Sequence, residues 1–253
     1  MVKSFFDPRW VDLNKMSWYG RWLEVNWVWT EMLTIYHAVF SIIVPTALVE
    51  LAYPEKRNES WIGKRTFIAL MALLFSETLI GLFALTTYIP PAPHYFMAIA
   101  AMALFILAAY KLKPKKIPQR TRKTGSSRLL FVVCTAGSML FFVMFWSSPA
   151  TIRDYPIVTM TLGIILVFAF VRFLSRLDWT SPHSDLNLLA AVSGALAFLI
   201  FLGFVQETRS GYLGMSFVSL SAIIALLVFR KRLKRRVQAK DISTSLQATS
   251  VTS

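Results

Sequence analysis

The sequence predicts an all-α fold: a polytopic transmembrane bundle of about seven spans, with the N-terminus outside and the C-terminus cytoplasmic. Three observations carry that prediction. Of the 253 residues, 56% are hydrophobic and only 16% are charged, against about 25% charged in an ordinary soluble domain. The charges are confined to short segments, and the apolar runs between them approach the roughly 20 residues needed to cross a hydrocarbon core. Those runs are continuous rather than alternating. That excludes β-barrel strands and leaves helices as the structure that satisfies every backbone polar group in lipid.

Taken in order, the first span is expected over Glu31 to Tyr53, the second over Thr66 to Ile89 and the third over Pro93 to Leu112. The fourth, Leu129 to Trp146, is the shortest. The fifth runs from Tyr155 to Leu174, the sixth from Leu186 to Gln206 and the seventh from Gly211 to Phe229. Pro90-Pro91-Ala92-Pro93 separates the second span from the third, since proline ends one helix and opens the next. Lys111 to Arg128 is a polar, basic connector long enough to project from a membrane. Three regions follow: residues 1–30, the helical domain 31–230, and a tail 231–253. The tail begins basic and ends in a Ser/Thr/Gln-rich stretch from Asp241 that is expected to be disordered.

Orientation follows from the basic residues. With the N-terminus outside, the four inside segments hold 4, 8, 2 and 7 lysines and arginines, against 6 in all the outside segments. The positive-inside rule therefore places the tail in the cytoplasm of a multi-pass cell-membrane protein. Trp10, Trp18, Tyr19, Trp22, Trp27 and Trp29 crowd the first thirty residues. Tryptophan and tyrosine favour the headgroup level, so this segment is expected to be an interfacial helix on the outer leaflet. It lacks a compact apolar region followed by a small-residue cleavage site, so no cleaved leader is expected.

The net charge of +14 would point to nucleic acid in a soluble protein. Here the basic residues sit between apolar runs and read as topology signals, so no nucleic-acid partner is expected. The single cysteine, Cys134, lies inside an apolar run and reads as a small hydrophobe. The clusters containing Lys115, Lys116, Arg120, Arg122 and Lys123, and Arg230, Lys231 and Arg232, are expected to face the cytoplasm and contact anionic lipid headgroups.

An ionisable side chain inside a span needs an explanation. Glu77, near the middle of the second span in Phe75-Ser76-Glu77-Thr78, is the leading candidate. A charged carboxylate there costs on the order of 3 kcal/mol, so it is neutralised, paired or reached by water. His37, in the outer half of the first span, lies roughly 7 Å outward of Glu77 in depth by helical rise. A His–Glu pair suits proton relay or cation coordination. His94 sits too near the outer end of the third span to join them, so no metal site is expected. Glu31, Glu50 and Arg172 lie near span ends and are read as solvated, snorkelling or paired with loop charges. In the sixth span, Ala190 with Gly194 and Ala191 with Ala195 follow small-xxx-small spacing, which permits close contact with a helix of the chain itself or, in a homo- or hetero-oligomer, of another subunit.

No phosphate-binding loop, HExxH or GxSxG motif is present, and the seventh span has no lysine for a retinal Schiff base. No cofactor is expected. The leading functional expectation is transport of a small solute or ion, with Glu77 and His37 at the site. The alternative is a structural or accessory subunit of a membrane complex. An intramembrane lipid-modifying enzyme ranks third, because no aspartate lies inside any span.

Overall fold

A computed structural model describes residues 18–23, 25–57, 59–83, 91–111, 125–179, 183–210 and 214–251. Among them the fold is all-α apart from one small hairpin. Arg21–Trp22 (β1) and Val25–Asn26 (β2) pair antiparallel, with Arg21 opposite Asn26 and Trp22 opposite Val25. Positive φ values of 72° at Gly20 and 50° at Leu23 turn the chain in a way no α-helix accommodates. The residues from Trp18 to Asn26 that the structure describes thus form a hairpin, and Trp27 opens the first long helix; the rest of the segment expected to be an interfacial helix lies outside the described residues. Trp18 and Trp22 are exposed, and the Arg21 guanidinium lies over the Trp18 ring at 5.9 Å.

Seven long helices follow among the described residues. The first, α1, spans Trp27–Ala52 and starts four residues before the expected Glu31. Asn26 sets this start: its side-chain oxygen accepts from the Trp29 backbone N–H at 2.9 Å, leaving its own backbone extended. The middle of α1, His37–Ile43, is π-helical. Pro45 explains the wider turns. It has no N–H for the Ser41 carbonyl and its ring would collide with that group; the π register moves the carbonyl aside.

The next two helices are α2 (Lys64–Phe83) and α3 (Ala92–Lys111). Helix α4 (Ser127–Thr151) is longer than the expected Leu129 to Trp146. Ser147-Ser148-Pro149 looks like a stop, yet the Ser148 hydroxyl donates back to the Met144 carbonyl. Pro149 falls in the final turn, so the backbone bond it removes affects only the last residues of the helix. Helices α5 (Pro156–Ser175) and α6 (Ser184–Ser210) match the expected fifth and sixth spans closely. Helix α7 covers Met215–Val251 and so runs through the stretch expected to be disordered. No glycine or proline interrupts residues 215–251, and Leu233 is almost completely buried, which holds the helix past Phe229.

Among the described residues, four helices are long and apolar enough to cross a membrane: Trp27–Ala52, Ser127–Thr151, Pro156–Ser175 and Ser184–Thr208. Helix α6 is the hub, packing on α4, α7 and α1, while α5 packs on α4 and α1. The α4–α6 contact is the closest. A methyl group at Gly194 would strike the Phe131 carbonyl oxygen of α4 and come within 3.0 Å of Cys134 Cβ. The small face of α6 thus seats α4 within the chain. Near the hairpin the core is aromatic: Tyr19, Phe141, Phe142, Phe145 and Phe198 pack with Val28 and Met32, and Phe142 stacks on Phe198 at 5.5 Å. The other end is aliphatic, with Leu51, Leu189 and Leu233 of α1, α6 and α7 packed together. There Arg236 donates to the Leu51 and Ala52 carbonyls at 3.5 and 3.4 Å, capping α1. We call these the hairpin end and the basic end. Among the described residues, α2 and α3 share no extensive packing with each other or the other helices, and α2 is exposed on all sides.

Candidate functional site: a buried carboxyl beside a central cavity

Between α1, α4, α5 and α6 lies a cavity of about 300 Å³. Ile35 and Val39 of α1, Phe141 and Ser138 of α4, Val167 of α5 and Ala195 of α6 are among its walls. The lining is apolar apart from small groups such as the Ser138 hydroxyl and the Cys134 thiol. The Ser138 hydroxyl is buried without a hydrogen-bond partner among the described residues.

The Glu31 carboxyl lies outside the lining of this cavity, one helical turn from Ile35 toward the hairpin end. Both of its oxygens are buried, and among the described residues neither has a hydrogen-bond partner. A methyl group at Gly163 of α5 would come within 2.5 Å of Glu31 Oε1 and 2.9 Å of Phe145 Cζ. The carboxyl therefore fills the notch that the glycine leaves, against the Phe145 ring. The register places it. Ile35, Val167 and Phe141 line the cavity, and Glu31, Gly163 and Phe145 are each one helical turn away from them, at i±4. All three steps run toward the hairpin end.

One turn further along α5, Thr159 is fully buried. Its hydroxyl is hydrogen-bonded to Tyr19 Oη at 2.6 Å, and Tyr19 also donates to the Ile152 carbonyl at 3.1 Å. Tyr19 thus fastens the hairpin over the α4–α5 junction. Trp29 Nε1, two residues before Glu31, is a second buried donor without a partner among the described residues.

The residues singled out in the sequence lie elsewhere. His37 is in the π-helical stretch, half-exposed; its Nδ1 is 3.0 Å from Ser41 Oγ and its ring meets Tyr36 edge-on at 5.1 Å. Glu77 is exposed on α2. No hydrogen bond or ion pair joins His37 to Glu77 among the described residues. The His94 side chain and residues Lys115, Lys116, Arg120, Arg122 and Lys123 lie outside the described part. Arg230, Lys231 and Arg232 are exposed on α7. Glu50 pairs with the loop residue Arg57 at 3.9 Å, and Arg57 also reaches Asp185, at the start of α6, at 3.0 Å. Among the described residues, no three His, Cys, Asp or Glu side chains come together to hold a metal ion.

The chain matches no protein-family model, no curated protein and no solved structure.

What the arrangement can do must therefore come from its chemistry. A carboxylate with neither counter-charge nor hydrogen bond is costly to bury. A proton, a small cation or an ammonium group taken up from the cavity side removes that cost, and the aromatic rings nearby suit a cation's charge. Sequence reasoning placed Glu31 at an exposed helix end because it started the helix four residues late. The available signal was Asn26, a strong N-cap residue three positions before Trp29. Gly163, alone within an apolar run, was the second signal. Nothing in the sequence pointed to the Tyr19–Thr159 bond.

Proposed function

We propose that this chain is a seven-span membrane protein that moves a small cationic solute or an ion, with the Glu31 carboxyl as the binding group one helical turn from the central cavity. The single supporting observation is the burial of both Glu31 oxygens without a partner among the described residues, one turn from the walls of an apolar cavity. A protein that needed this residue only for stability would give it a donor or replace it with a hydrophobe. In this reading the N-terminus is outside, the site opens toward the outer leaflet, and the basic tail is in the cytoplasm. Glu77 and His37 serve as secondary groups on the path, not as the primary site.

The test is flux in proteoliposomes carrying a trapped pH-sensitive dye, driven in turn by gradients of protons, sodium, potassium and a lipophilic amine. Wild-type protein should dissipate at least one gradient, Glu31→Gln should abolish that activity, and Glu77→Gln should leave most of it. Wild-type flux that Glu31→Gln leaves intact would overturn the assignment; loss only in Glu77→Gln would move the site to α2.

A second reading, an accessory subunit of a membrane complex, is favoured by one observation: α2 and α3 expose apolar side chains broadly, including Phe75, Ile80, Phe96 and Phe105. It requires a partner to cover Glu77. Extraction in mild detergent followed by light scattering tests it, and a lone monomer would count against it.

A further inference from the structure

A second and larger recess lies on the opposite side of α6 from α1. It is a groove of about 940 Å³ between α4, α6 and α7. Its long wall is apolar, formed by residues such as Phe131, Ala190, Phe201, Ile223 and Leu227. Three cations, Arg128, Arg230 and Lys234, also line it. No carboxylate is among the lining residues, and among the described residues none of the three cations forms an ion pair.

The three charges gather at one end. Arg230 and Lys234 are four residues apart on α7 and share a face. The Ser127 hydroxyl donates to Asn187 Oδ1 at 2.7 Å, which sets Arg128 level with the first turn of α6. Leu233 packs against Leu189, which sets Lys234 close to that same level. The apolar wall extends away from this cluster along α6 from Leu186 to Phe204, roughly 27 Å by helical rise. An acyl chain filling one leaflet needs about 15 Å, half of a typical hydrocarbon core.

We propose that this groove is a binding site for one anionic phospholipid of the cytoplasmic leaflet. The phosphate sits among Arg128, Arg230 and Lys234, and an acyl chain lies along α6. Charge and shape together select this occupant. A free phosphate would leave the apolar wall uncovered, and a zwitterionic lipid would bring a fourth cation into a site that already holds three. The site is separate from the Glu31 cavity and does not depend on a transport activity.

Native mass spectrometry of the full chain, extracted in detergent and supplied with phosphatidylglycerol or phosphatidylcholine, tests the proposal. Wild-type protein should retain a phosphatidylglycerol adduct at least tenfold more than a phosphatidylcholine one. The variant R128Q/R230Q/K234Q should lose that preference. A control, K231Q/R232Q/R235Q, removes as much charge from other faces of α7 and should keep it. Ala197→Phe, which fills the groove and leaves the charges, should also lose the adduct. Equal loss in the control would reduce the effect to diffuse attraction and overturn the site. So would an adduct that survives both R128Q/R230Q/K234Q and Ala197→Phe, or a lipid-free dimer as the main species, which would assign the groove to a second copy. Thermal unfolding of each variant separates lost binding from lost folding.

Discussion

At Glu31 stability and binding make opposite demands. A buried carboxyl with no donor nearby costs free energy, and an apolar residue of similar volume would not. Glu31→Leu should therefore raise the unfolding midpoint, corresponding to about 1–3 kcal/mol of stabilisation, while abolishing any flux that the wild type supports. A lowered midpoint in a fluorescence-detected melt would mean that the carboxyl has a structural partner. Gly163 is the complementary probe. The methyl group of Gly163→Ala meets Glu31 Oε1 and the Phe145 ring, so the variant should lose about 1–3 kcal/mol by overpacking. Most of that loss should disappear when Glu31→Ala is present as well, because the two residues share one space. Tyr19→Phe removes the bonds to Thr159 and Ile152 and leaves the buried Thr159 hydroxyl unpaired. It should cost about 1–3 kcal/mol, read as a lower midpoint; an unchanged midpoint would show that the hairpin is not fastened there.

Among the elements, α1 and α6 set the frame. Helix α1 is positioned by its cap at Asn26 and by its π-helical stretch before Pro45. Asn26→Ala should cost about 1 kcal/mol, measured against Asn26→Asp, which preserves the cap and should be close to neutral. Helix α6 approaches α4 through Gly194, whose neighbour is backbone and cannot move aside as a side chain would. Gly194→Val should then destabilise by 3 kcal/mol or more, about the upper end for overpacked cores. Ala197→Val, on the open groove side, should cost less than about 1 kcal/mol. Similar midpoints for the two variants would show that α4 and α6 are not in close contact. The small-xxx-small spacing was readable in the sequence, but not which neighbour it would receive. That spacing permits contact with any helix, and Phe131 became the partner through the path of the whole chain.

For the whole molecule, the orientation of the bundle decides which face each site presents. In a Cys134→Ser background, a cysteine at Tyr155 should react with an impermeant maleimide added to intact cells. A cysteine at Ser60 should react only after permeabilisation. Both positions are exposed in the structure. The reverse pattern would place the three-cation end of the α4–α6–α7 groove outside and would contradict the positive-inside count. The same scale separates the five packed helices from α2 and α3, which carry Glu77 without extensive cover. If these two helices are completed by a partner, Glu77 belongs to that interface. Crosslinking from Phe75→Cys should then capture the partner, and if they face lipid it should yield monomer only.

The sequence by itself determined the helical class and the approximate position of each of the seven helices. Those properties depend on local hydrophobic runs, and such runs report the solvent a segment prefers whatever it packs against. Local signals set some boundaries and not others: Asn26 starts the first helix four residues earlier than expected, while the fourth helix runs past Pro149 to Thr151. The tertiary structure decided which carboxyl is buried. Glu77 looked interior because it is central in its span, but centrality along a helix says nothing about which neighbours cover it. Glu31 looked exposed because it is near a helix end, yet Gly163 and Phe145 close over it from two other helices. The cavity and the three-cation groove likewise depend on residues far apart in the chain, brought level by helix packing whose register no single segment encodes.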